Sequence, residues 1–186
     1  MTVVRLGYVA MSVHLKHASP SKTMAFAQFS KIANRNAAIR KLERITQSNL
    51  ANCLRLLRSN LENEIHFFRF SSKLIPLANH PELQDWDFFA PLTEELAAIK
   101  QFLAEHKEMR VDFHPDHFVL LNSPKADILN QTIQTLNIQR HLLKGFGLDP
   151  THRCVLHVGG GYQNKEKALE QFIHNWGLTL SLNKTL

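Results

Sequence analysis

The sequence predicts an α/β fold built on a parallel sheet. Three observations carry that reading: four short apolar runs rich in strand formers, polar or turn residues after each run, and a helix-period stretch after each of those. Strand–helix units repeated in this way fold as right-handed βαβ crossovers, because successive parallel strands need a connection long enough to return across the sheet.

The first run is Val3-Val4-Arg5-Leu6-Gly7-Tyr8-Val9. A polar linker with Ser19-Pro20-Ser21 follows, and then a helix from about Asn36 to Asn60, where Leu42, Ile45, Leu50, Leu54 and Leu57 recur at steps compatible with one apolar face. The second run, Ile65-His66-Phe67-Phe68-Arg69-Phe70, is rich in aromatic strand formers. Beyond the loop that ends at Pro91, Thr93 suits an N-cap for a helix to His106, with Glu94 and Glu95 at its positive end. The third run, Met109-Arg110-Val111-Asp112-Phe113-His114, is stopped by Pro115. Ala126 to Lys144 reads as a helix, with Ser123-Pro124 before it and Gly145 and Gly147 at its end. The fourth run, Cys154-Val155-Leu156-His157-Val158, ends at Gly159-Gly160-Gly161 and precedes a helix over Lys165–Trp176.

Composition narrows the class. In 186 residues, 44% are hydrophobic and 20% charged, and no apolar run approaches the length of a membrane span. The first twenty residues are dotted with polar groups and lack the apolar core of a signal peptide, so a soluble, cytoplasmic protein with no membrane partner is expected. Cys53 and Cys154 are far apart and form no CxxC pair, which points to buried free thiols rather than a disulfide framework or zinc knuckle. Charge is uneven. Residues 31–60 hold seven basic groups (Lys31, Arg35, Arg40, Lys41, Arg44, Arg55, Arg58) against Glu43 alone, whereas residues 61–109 hold nine acids and four bases. Such a block is either a solvated helix face or a surface that contacts phosphates.

In a parallel α/β sheet the loops leaving the strand ends form the binding crevice. The four runs end at Tyr8, Ser71-Ser72-Lys73, His114 and His157. A neutral imidazole followed by a chain breaker can bind a divalent metal or move a proton, and two histidines in equivalent positions favour such work over packing alone. His80, in Asn79-His80-Pro81, can converge on the same mouth, and His117 is ambiguous between a loop contact and a further ligand. His66 inside a strand and His106, His141 and His174 on helices are explained by packing or solvent exposure, and His14, His17 and His152 in connecting segments carry no spacing signal. The triple glycine before Tyr162 is neither a Walker loop nor a dinucleotide fingerprint. It permits close approach of a phosphate, with Tyr162 as a stacking face and Lys165 as a phosphate contact, or it is a plain tight turn.

Several segments together resemble the UV DNA-damage endonucleases, in their Bacillus-type form: Arg5-Leu6-Gly7-Tyr8, Arg69-Phe70-Ser71-Ser72-Lys73-Leu74-Ile75-Pro76, Asn79-His80-Pro81, Phe113-His114-Pro115 and His157-Val158-Gly159-Gly160-Gly161-Tyr162. Ala18–Thr23 and Asn49–Asn60 share the likeness, which covers residue 3 to about 176. The resemblance implies a TIM-barrel enzyme, related in fold to apurinic endonuclease IV, that incises double-stranded DNA 5′ of pyrimidine dimers and 6-4 photoproducts. It implies a divalent metal cluster, typically manganese, with His114 and His157 as ligands and His80 as a ligand or close neighbour. Tyr8 and His80 are then catalytic-site residues, and His117, Phe118, Tyr162 and Lys165 contact DNA. The family inserts a Gln–aromatic pair into the duplex; here the pair is His117-Phe118, so the aromatic wedge is kept and the polar probe is changed.

Only the first four βα units of such a barrel are expected here, since eight units typically need about 250 residues. Family members continue into a Leu-Glu-Asn-type strand and further acidic, histidine and modified-lysine ligands. Residues 1–176 are therefore expected to form the N-terminal half of the barrel, and 177–186 a tail foreign to the family, as a truncation or frameshift would give. An incomplete metal site with weak or no activity follows as an expectation, as does self-association of an otherwise monomeric enzyme. Two other readings stay open: a non-catalytic DNA-binding or self-associating half-barrel, and a different metal-dependent TIM-barrel enzyme such as a sugar isomerase.

Overall fold

The structure is a computed structural model that describes residues 4–151 and 153–182, side chains of 178–182 excepted. Val3, His152 and residues 183–186 of the expected tail lie outside the described residues. Three strands form a parallel sheet in the order β1 (Gly7–Val9), β2 (Phe67–Phe70), β3 (Arg110–Phe113). Between β1 and β2 lie a short helix α1 (Phe26–Phe29) and the long helix α2 (Arg35–Glu62). Helix α3 (Thr93–Glu105) connects β2 to β3, and α4 (Ala126–Gly145) and α5 (Lys165–Leu182) follow. No helix among the described residues is long and apolar enough to cross a membrane.

Register follows from the side chains. Tyr8 lies opposite Phe68, and Phe68 and Phe70 lie opposite Val111 and Phe113, respectively. All of these face the helix layer, where Phe70 meets Phe113 and Phe146 at 5.3 and 4.9 Å between ring centroids. Alternation sends Gly7, Val9, Phe67, Arg69 and Asp112 to the other face. There Arg69 and Asp112, partners in register, form an ion pair at 2.8 Å. A side chain at Gly7 would collide with the backbone carbonyl and ring of Phe67, so glycine is what lets β1 approach β2. Helix α2 seals the core with fully buried Ala38, Leu42, Leu50, Cys53, Leu56 and Leu57, and burial pushes the Cys53 thiol pKa well up.

Three expectations change. The first strand is Gly7–Val9 rather than a run from Val3, with Val4 and Leu6 about four-fifths exposed. The fourth strand reduces to one parallel bridge, Phe113 to Cys154. Phe113 N–H donates to Arg153 O (2.9 Å) and Val155 N–H to Phe113 O (3.1 Å). The next rung would need an N–H at position 115, and Pro115 has none, so the ladder stops. The last helix, expected to end at Trp176, runs on to Leu182 through Gly177, a helix-weakening residue that costs about 1 kcal/mol and is tolerated here.

Candidate functional site

Parallel pairing places the C-terminal ends of all the strands on one side of the sheet, and the segments that leave them form one rim. The first and second of these segments are stitched together by α2. Buried Asn49 accepts from Lys22 N–H (3.0 Å) and donates to Lys22 O (2.9 Å) and Leu74 O (3.0 Å). Asn52 donates to Ser19 O at 2.9 Å, and the Ser21 and Ser71 hydroxyls share a hydrogen bond of 2.7 Å. The sequence displays both stretches but not that one holds the other, since the partners are 25 to 50 residues apart.

His114 is the first residue past β3. Phe113 faces the helices, so His114 projects from the face that carries Arg69 and Asp112. Its ring stands edge-on to that of His157, with centroids 4.8 Å apart and planes at 61°. The two histidines singled out from the sequence are thus brought together. Burial, then the neighbouring His157 and Arg69, pulls the His114 pKa below the ordinary histidine value; Asp112 and Asp116 pull the other way. His114 is therefore neutral at pH 7, with a lone pair available to a metal or a proton.

The remaining predicted residues spread around this pair. His80 caps a 3-10 turn (Pro81–Leu83), its Nδ1 accepting from Glu82 N–H at 3.2 Å, and its ring stacks on Phe26 with centroids 3.9 Å apart. The Tyr8 ring lies in the helix layer against Phe68, and its hydroxyl donates to Asn60 Oδ1 at 2.6 Å. Its side chain thus emerges on the sheet face opposite to His114. His117 holds Asp116 at 2.7 Å and leans on the ring of Phe118, which is 71% exposed at the loop tip. Tyr162 is exposed and covers Gly160, with left-handed backbone at Tyr162 and Gln163 (φ +41° and +66°). Asn164 caps α5 by accepting from Lys167 N–H, so Lys165 opens that helix.

Two supports of the site were missed in the sequence. The first is the Arg69–Asp112 pair, whose carboxylate side chain is 4% exposed. Its signal was present: β2 and β3 each carry a charge at their third residue, Arg69 and Asp112, of opposite sign. The second is Asn122, which donates to Gly160 O at 2.8 Å. Gly159 has φ +102°, and a side chain there would strike the Asn122 amide oxygen, so the triple glycine lets its loop close over Asn122.

Two imidazoles are part of a donor set for a first-row divalent ion, and three or four protein ligands make a whole one. Among the described residues no three His, Cys, Asp or Glu side chains converge as a metal-holding group. Asp112 is engaged by Arg69 and Asp116 by His117. The described residues therefore supply two fitting donors and not a complete centre.

A family model described as UV-endonuclease UvdE matches residues 4–184. The chain belongs to the UV-endonuclease UvdE family. The UvdE match runs through 177–184, part of the segment read from the sequence as a foreign tail. A UV DNA damage endonuclease of Halalkalibacterium halodurans is 54% identical over 183 residues, covering 98% of this chain and 56% of the relative. One from Bacillus pumilus is 37% identical over 171 residues, covering 92% and 52% respectively. The crystal structure of SacUVDE superposes with a TM-score of 0.75 at 30% identity, covering 93% of this chain and 55% of that one. The chain spans about half the length of the curated UvdE relatives it matches.

Proposed function

We propose that this chain carries the N-terminal four βα units of a TIM-type barrel, in a cytoplasmic DNA-repair endonuclease that incises duplex DNA 5′ of UV photoproducts by metal-dependent phosphodiester hydrolysis. The His114–His157 pair at the sheet's C-terminal rim carries the reading. A divalent ion held there, manganese in this proposal, would supply activation of a water and neutralisation of charge on the attacked phosphate. His114 and His157 would hold it through their ring nitrogens, and the lowered His114 pKa keeps that donor free of its proton. His80 completes or neighbours the centre only with loop movement, since its Nδ1 is occupied at Glu82. Tyr8, an active-site residue by the family likeness, has its hydroxyl committed to Asn60 on the face away from His114, so it takes part in the site only when that bond opens.

Phe118 is the wedge that opens the duplex at a lesion, where stacking is already weakened and unstacking costs less. His117 replaces the polar probe. Tyr162 and Lys165 meet the DNA backbone at the start of α5. With two donors in reach, residues 1–186 alone hold metal weakly and turn over slowly.

Gel retardation and nicking on UV-irradiated and unirradiated duplex with Mn²⁺ test this. Tighter binding to irradiated duplex is expected, with incision far slower than that by the H. halodurans relative. Equal binding to both duplexes contradicts the lesion reading, and brisk nicking by the chain alone contradicts the weak-centre reading. One observation favours a second reading, self-association. Val9 in β1 and Val4 and Leu6 just before it are exposed, and the outer edge of β1 pairs with no described strand. Size-exclusion chromatography giving a concentration-independent monomer removes it.

A further inference from the structure

Helix α2 is much longer than the sheet it covers. Its 28 residues extend about 42 Å, whereas four-residue strands extend about 13 Å. Asn60 sits beside Tyr8 in β1, while Asn49 already reaches Lys73 and Leu74, beyond the end of β2. Residues 35–48 therefore project past the strand ends, on the side where His114 and His157 lie. Their inner face is sealed by the loop after β2: Arg35 bonds Asp85 and Glu82 O, and Gln47 bonds Pro91 O. Their outer face is basic. Arg40, Lys41 and Arg44 are exposed, lie within one turn of each other, and have no carboxylate at ion-pair distance among the described residues. Lys22 adds its ammonium to the same ridge through Ser48 (3.1 Å), and exposed Arg55 and Arg58 continue it at three- and four-residue steps.

We propose that this ridge is a phosphate track, which holds the backbone of duplex DNA running outward from the histidine rim. The proposal rests on DNA being the partner of that rim. From Arg40 to Arg58 the ridge measures about 27 Å, the rise of about eight base pairs. The choice of DNA over an anionic membrane follows from where the apolar residues are. A membrane-surface helix presents large apolar side chains outward, whereas α2 buries Leu42, Leu50, Leu56 and Leu57 in the core and shows only Ala51 between its cations. The track reads no sequence, so it adds salt-dependent affinity to any duplex, damaged or not.

The test uses the 186-residue chain and an unirradiated duplex, with binding measured across a salt series. Arg40→Gln/Lys41→Gln/Arg44→Gln is compared with Lys100→Gln/Lys107→Gln/Lys144→Gln, which removes the same charge from exposed positions on α3, the α3–β3 turn and α4. Thermal melts verify that both variants fold. The ridge variant should lower the slope of log K against log salt by about two to three, at 0.9 per phosphate contact, and the control should leave it nearly unchanged. Equal loss in the two variants, an unchanged slope in the ridge variant, or no duplex binding by the parent overturns the proposal. So does tighter, ridge-dependent binding to phosphatidylserine vesicles than to DNA. Because the readout needs neither lesion nor incision, equal binding to irradiated and unirradiated duplex with the predicted slope change leaves the track standing and removes only the lesion-directed reading.

Discussion

His114 is poised by its neighbours more than by its own chemistry. Burial comes first, then the imidazole of His157 and the guanidinium of Arg69, and all three disfavour the imidazolium. A pKa lowered on folding means that the folded state takes up the proton less readily than the unfolded chain. The associated stability is present above the ordinary histidine value and is lost as pH falls through the lowered one. An NMR titration should place the His114 midpoint below that of a free histidine. His157→Gln should move it upward without restoring it fully, because burial is the larger cause; an unmoved midpoint contradicts the pairing. Tyr8 makes a different point. Its place in the first strand was readable, though it lies mid-strand rather than at the end, and the face it takes was not, because a three-residue strand leaves too little alternation to fix the side. Tyr8→Phe should cost about 1 kcal/mol in urea unfolding, the usual worth of one hydrogen bond, since Asn60 loses its partner. No measurable loss would mean that the Asn60 contact contributes little.

Among the elements, α2 was the most legible from periodicity and the least legible in its consequences. The repeat of leucines showed a buried face, and that face is buried. Its polar members Asn49 and Asn52 carried no periodic signal, because their partners are backbone groups of two loops distant in sequence. Asn49→Ala should destabilise the chain by about 2–4 kcal/mol, as several buried backbone groups lose partners together. It should also speed proteolytic cleavage within 15–24; a neutral effect on both would show that the loops are held by other contacts. The fourth strand shows the opposite failure. Its apolar pattern was genuine, but the ladder needs a donor where Pro115 offers none. The glycine loop behind it is held by Asn122 instead of by a sheet. Gly159→Ala should cost about 1–3 kcal/mol and separate the His114 and His157 rings, seen as a loss of their mutual nuclear Overhauser contact.

At the scale of the molecule, the parallel order β1-β2-β3 collects every strand end on one rim, and the rim gathers the histidine pair, the exposed Phe118, Tyr162 at the glycine loop and the overhanging half of α2. That convergence was foreseeable from strand–helix alternation alone, and an incomplete metal site was an expectation of the sequence as well; that Asp112 is taken by Arg69 and Asp116 by His117 became visible only once the side chains were placed. The central claim is that this half supplies working parts of a lesion-directed endonuclease. The most direct measurement grafts it into a complete relative. In the 54%-identical H. halodurans enzyme, this chain replaces the matching half, and incision is mapped on a duplex with a single pyrimidine dimer in Mn²⁺. The chimera should nick 5′ of the dimer, and His114→Gln or His157→Gln within it should lower the rate at least a hundredfold while leaving binding to undamaged duplex intact. A folded chimera that binds DNA without nicking, or one that nicks at the parent rate without both histidines, would contradict the account.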